Sequence, residues 1–146
     1  MEQTFMNIEQ TVAQPNVYLM PSLYDETVDL LLAARYYFGN LWPDYEPYLS
    51  VEERLHFASE MSRITMRLTS VMAWLTAQRA VASGDLDEDE ARNLYRLHNE
   101  NSCLFSNPEI EAILPIEMRT ILEASRKLYL RVYRIESQLM GETPLE

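Results

Sequence analysis

One hundred and forty-six residues, 47% hydrophobic and 24% charged, describe one globular domain large enough to fold around its own core, with no need of disulfides or metal. Twenty-three acids against twelve bases leave a net charge of −11, a field that repels phosphate backbones and anionic membranes, so neither nucleic acid nor membrane is expected as a partner. The single cysteine, Cys103, excludes an internal disulfide and fits a reducing cytoplasm, and Met1 to Gln14 lacks both the basic and the apolar region of a signal peptide.

Residues 1–21 are polar, mixed and broken by Pro15 and Pro21, and read as a flexible arm preceding a helical domain over 22–141. The first helix is expected to start at Ser22, whose hydroxyl can accept from the Asp25 amide, and to stop at Gly39. Tyr24, Val28, Leu31, Arg35 and Phe38 form its stripe. An aromatic, proline-rich turn follows, with Trp42, Pro43, Tyr45, Pro47 and Tyr48.

The second helix carries the strongest signal. Ser50-Val51-Glu52-Glu53 is a capping box, and neither proline nor glycine then occurs before Gly84, which allows a helix about 50 Å long. Phe57, Met61, Ile64, Leu68, Val71 and Leu75 alternate at spacings of three and four, the pattern of a bundle seam. Asp87 and Glu90 open a third helix, expected to run to Ser102 with Ala91, Leu94 and Leu97 inward. Asn107-Pro108 starts a short turn or one-turn helix that ends before Pro115. The last helix runs from about Pro115 to Met140, with Met118, Ile121, Leu122, Ser125, Leu128, Val132, Ile135 and Leu139 inward and Gly141 as its stop; residues 142–146 form a short tail. The fold class is therefore all-α: an up-down three-helix bundle with one additional shorter helix.

Candidate chemistry is sparse. Glu53-x-x-His56 has the spacing of a di-iron ligand pair, but the second pair is missing, because three residues before His98 stands Tyr95. Glu53 is better used in the capping box, and no metal, cofactor or catalytic residue is expected. Cys103 has no histidine placed to activate it and reads as a structural thiol. Arg79 falls on the apolar stripe of the second helix, so it and Gln78 are expected as buried polar residues, with Arg79 either reaching water or loop carbonyls or pairing with a carboxylate. Arg63, Arg67 and Trp74 lie with His56 and Glu60 on the flank of that helix; arginine with tryptophan is the composition of interface hot spots, and contact with another helix of the same bundle is the plainer reading. Arg126, Lys127, Tyr129, Arg131 and Arg134 make a basic, aromatic stripe on the last helix, which suits either a solvated helix end or an acidic segment of a partner protein.

The run from Met61 to Val81, with Trp74-Leu75 and Gln78-Arg79-Ala80-Val81 followed by Gly84-Asp85, resembles the RcdA family, the regulators of CtrA degradation, also catalogued as a domain of unknown function. Leu23-Tyr24-Asp25-Glu26-Thr27 and, later, Leu114-Pro115 with Ser125-Arg126-Lys127-Leu128-Tyr129-Leu130-Arg131-Val132 resemble the same family, so the similarity covers about residues 20 to 140. The resemblance implies a cytoplasmic, homodimeric, non-enzymatic three-helix adaptor in bacterial regulated proteolysis. Such a protein helps the ClpXP protease degrade cargo such as a cell-cycle response regulator, together with a CpdR-type adaptor. The family's longer C-terminal tail has only Glu142 to Glu146 as its counterpart here. A structural, scaffolding helical dimer and a helical metalloenzyme are the alternatives.

Overall fold

A computed structural model describes residues 16–94, 96–97 and 101–141; most are helical, short turns and irregular stretches join the helices, and none is in a strand. The elements are α1 (Asn16–Tyr36), a π-turn (Tyr37–Leu41), α2 (Trp42–Tyr45), a 3₁₀ turn (Glu46–Tyr48), α3 (Val51–Ala82), α4 (Glu88–Leu94), α5 (Asn101–Leu104), α6 (Pro108–Ile113) and α7 (Ile116–Leu139). The expected all-α class is what the chain adopts.

Helix α3 forms as its sequence dictates. The Ser50 hydroxyl accepts from the Glu53 amide at 3.1 Å, and the Glu53 carboxylate accepts from the Ser50 amide at 3.2 Å, so two otherwise orphaned donors are satisfied. Its far end turns at Gly84, whose φ of +82° is a conformation that costs an L side chain strain. Phe57, Ile64, Leu68, Val71 and Leu75 are buried, each contributing about 1.5–3 kcal/mol relative to exposure. Met118, Ile121, Leu122, Ser125, Leu128 and Val132 are buried on α7 as its period requires, and Gly141 at φ +70° closes that helix.

Helices α1, α3 and α7 pack on one another in all three pairings. The Trp42 ring meets Phe57 edge-on at 5.8 Å and Arg79 lies over the Tyr24 ring at 5.4 Å, so α1 and α3 are antiparallel. Arg131 pairs with Glu26, and Tyr37 lies in the field of Glu117, so α7 is also antiparallel to α1. Helices α3 and α7 are therefore parallel, and residues 83–115 carry the chain back along the bundle.

Three boundaries differ from expectation. Helix α1 begins at Asn16, so Ser22 lies inside it and Pro21 sits exposed within the helix, where it removes one backbone donor. Residues 1–15 of the expected arm and residues 142–146 of the tail lie outside the described residues. Gly39 does not stop the helix: a wider π-turn carries the chain through it to Leu41, and an extended backbone first appears at Leu49. The third helix ends at Leu94, which is 62% exposed rather than inward, whereas Ala91 and Leu97 are buried as expected. The reason is tertiary. The Leu97 amide donates to the Glu136 carboxylate of α7 at 2.6 Å, an acceptor a regular helix would not offer.

Candidate functional site

Among the described residues, a concentration of buried ionisable groups is built around Arg67. This side chain is 1% exposed. Its Nε–H donates to the Cys103 carbonyl at 2.8 Å, Nη2 to the Phe105 carbonyl at 3.0 Å, and Nη1 to the Leu122 carbonyl and the Ser125 hydroxyl at 3.2 and 3.3 Å. The planar fork thus ties α3 to the return segment on one side and to α7 on the other. Ser125 itself donates to Leu122 at 2.8 Å, which accounts for a serine on the α7 seam. Burial lowers the Arg67 pKa from 12.5 to about 10; neighbouring Arg63 adds to this, and Glu60 opposes it. Glu60, also buried, pairs with Arg63 at 2.5 Å, and the Arg63 guanidinium covers the Phe105 ring at 4.9 Å.

A second anchor lies toward the end of α7. Glu136 is 5% exposed, accepts from Leu97 and lies 3.9 Å from Arg96. Glu136 and Arg67 together pin the return segment by its amides and its carbonyls. Both the buried acids and the buried arginine are committed to these contacts.

This geometry corrects several expected sites. Arg67, Trp74 and Tyr129 are 2% exposed or less, so they cannot meet a partner while the bundle is closed; the plainer reading, contact within the bundle, holds for Arg67 and Trp74, and Tyr129 is buried, on neither a solvated face nor a docking one. Arg79 is exposed and stacks on Tyr24, while Gln78 is only half-buried, so neither is the buried polar residue of α3. That place belongs to Arg67. Arg63 is largely covered by its own neighbours. The basic stripe is partly neutralised: Arg131 pairs with Glu26, Lys127 lies 3.8 Å from Glu123, and the half-buried Arg126 leaves its Nε without a partner. Arg134 is exposed. Glu53 is spent in the capping box, and His56 lies 3.8 Å from Glu52 instead; His98 lies outside the described residues. Among the described residues no three His, Cys, Asp or Glu side chains converge as a metal site would require, and no helix is long and apolar enough to cross a membrane. Cys103 is buried.

The outer surface carries a feature the sequence reading did not single out. At the junction of α1 and α3, Tyr48 is 88% exposed and Val51 and Leu55 are each 66% exposed, with Leu41 and Tyr45 also open to solvent. All five lie within one short stretch of chain around the start of α3. The Glu117 field at Tyr37 places the start of α7, with exposed Ile113 and Ile116 next to it in sequence, at this same end. Asp44 and Glu52 are exposed among these groups. These exposed apolar groups, with acids among them, gather at one end of the bundle and make an apolar corner with an acidic rim. Two signals could have revealed it. Val51 and Leu55 stand one turn apart on the side of α3 away from its seam, and Tyr48 sits between prolines and the cap.

No curated protein and no solved structure matched the chain. A family model described as a protein of unknown function, DUF1465, matches residues 12–146 and so takes in every element above; the chain belongs to the DUF1465 family.

Proposed function

We propose that this protein is a non-enzymatic adaptor that holds two proteins together, of the kind the RcdA resemblance implies: it brings cargo such as a cell-cycle response regulator to the ClpXP protease, alongside a CpdR-type partner. One observation carries the reading. The large apolar side chains at one end of the bundle face water, while the buried charges are committed to holding the fold. Tyrosine and leucine anchors inside an acidic rim suit a partner that offers apolar pockets and basic residues. The physical gain of an adaptor is effective concentration: two modest contacts on one scaffold make the second encounter intramolecular.

The test is binding of the purified full chain to a response regulator and to the unfoldase component of the protease. Tyr48→Asp and Leu55→Asp should each weaken one of these contacts by about tenfold or more, equivalent to about 1.4 kcal/mol or more, with the far-ultraviolet circular dichroism unchanged. Retention of both contacts by the double variant would remove the corner from the mechanism, and absence of either contact in the natural chain would remove the adaptor reading.

A further inference from the structure

At the other end of the bundle, the start of α1 and the end of α3 enclose a pocket of about 320 Å³. It is lined by Met20, Pro21, Tyr24 and Asp25 of α1 and by Arg79 and Ala82 of α3. Within each helix these residues lie three or four apart, so one turn of each helix forms a wall. The volume falls at the small end of the range of about 300–1,000 Å³ for sites that hold one small molecule. Met20, Pro21 and Ala82 give the pocket an apolar surface, and two opposite charges share it. Those charges are not used on each other. Among the described residues the Arg79 guanidinium has no ion pair or hydrogen bond, and neither has the Asp25 carboxylate. Glu26, the next acid along α1, is by contrast paired with Arg131. Arg79 is held over the Tyr24 ring at 5.4 Å, a contact that steadies a guanidinium while leaving its N–H donors available.

We propose that this pocket binds a free α-amino acid with an apolar side chain. Its carboxylate accepts from Arg79, its ammonium donates to Asp25, and its side chain lies on Met20, Pro21 and Ala82. The charges select this class of ligand. A simple anion drawn to Arg79 is repelled by Asp25, and a simple cation drawn to Asp25 is repelled by Arg79. A molecule that carries both charges on neighbouring atoms satisfies the two side chains together, through charge-assisted hydrogen bonds. The apolar surface then favours a hydrophobic side chain over none, by the area it removes from water. Stacking on Tyr24 lowers the cost of binding, because the guanidinium is already positioned before the ligand arrives.

The proposal goes beyond the adaptor reading and does not depend on it, since the pocket and the exposed corner lie at opposite ends of α3. It is tested on the full chain by titration with L-leucine, followed in proton–nitrogen correlation spectra that include the arginine Nε–H region. Saturable shifts are expected at the Tyr24, Asp25 and Ala82 amides and at the Arg79 side chain, with none at Tyr48 or Leu55. Leucinamide lacks the carboxylate, N-acetyl-leucine lacks the ammonium and glycine lacks the side chain, so each should bind at least about tenfold more weakly than leucine. Arg79→Gln and Asp25→Asn, both at exposed positions, should each weaken leucine by a similar factor with helical content unchanged. No saturable shift up to about 10 mM leucine would overturn the proposal. Equal binding of any one of the three analogues would do the same, as would undiminished binding to either variant. Inorganic phosphate that reproduced the leucine shifts would also overturn it, by reducing Arg79 to an ordinary anion contact.

Discussion

Arg67 and Tyr37 show how single side chains set the behaviour of this bundle. Arg67 donates to three backbone carbonyls and one hydroxyl from two separate parts of the chain. Truncating it takes away the guanidinium donors of the Cys103 and Phe105 carbonyls, so Arg67→Ala should cost on the order of 3 kcal/mol in denaturant unfolding, and Arg67→Lys should recover only part of that. A lysine keeps the charge but cannot reproduce the fork, so full recovery in the lysine variant would reduce Arg67 to a simple cation. Tyr37 titrates in the opposite sense. Burial chiefly, helped by Glu117 and Tyr45, raises its hydroxyl from 10.0 to about 12. Between those values the folded chain holds a proton that the unfolded chain has released, so stability is complete below pH 10 and falls as pH rises toward 12. Denaturant midpoints measured across that range should show this loss in the natural chain and a shallower one in Tyr37→Phe; identical profiles would count against it. The sequence placed Arg79, not Arg67, on the apolar stripe, and by angle alone it does lie there. Periodicity reports direction around the helix axis but not depth along it. Arg79 is near the end of α3, where it escapes onto Tyr24, whereas Arg67 sits mid-helix with α7 and the return segment on either side.

Among the elements, the long helices were legible and the return segment was not. The capping box at Ser50, the seam of α3, the short α6 behind Asn107 and the stripe of α7 all follow from local signals, and each is in place. The segment between Leu94 and Phe105 depends on partners distant in sequence. Its amide at Leu97 is taken by Glu136 and its carbonyls at Cys103 and Phe105 by Arg67. At Arg96 and Leu97, which are not helical, contacts to Glu136 take the place of helix bonds. One signal was available: Glu136 follows Val132 by four residues and Tyr129 by seven, so an acid stands on the buried side of α7. Glu136→Ala should leave the Leu97 amide unpaired, at about 1–3 kcal/mol. Hydrogen exchange at Leu97 should accelerate accordingly, while the amides of α3 keep their protection. Uniform acceleration through α3 would show instead that the return segment and the bundle open as one unit.

At the scale of the whole molecule, the three long helices spend their seams on each other and the ionisable interior on holding the return segment. That leaves the ends and outer faces open to solvent. Nothing in the composition distinguishes the corner around Tyr48, because exposure of an apolar residue is a property of the assembled fold. What the sequence did suggest, a basic stripe on α7, is partly closed off by Glu26 and Glu123. The adaptor account therefore rests on the corner, and its most direct test is degradation in a reconstituted mixture of the ClpXP protease, a response-regulator cargo and a CpdR-type partner. Adding the natural chain should speed loss of the cargo, and the Tyr48→Asp, Leu55→Asp double variant, folded to the same helical content, should not. A cargo lifetime unchanged by the natural chain, or shortened equally by the double variant, would contradict the account.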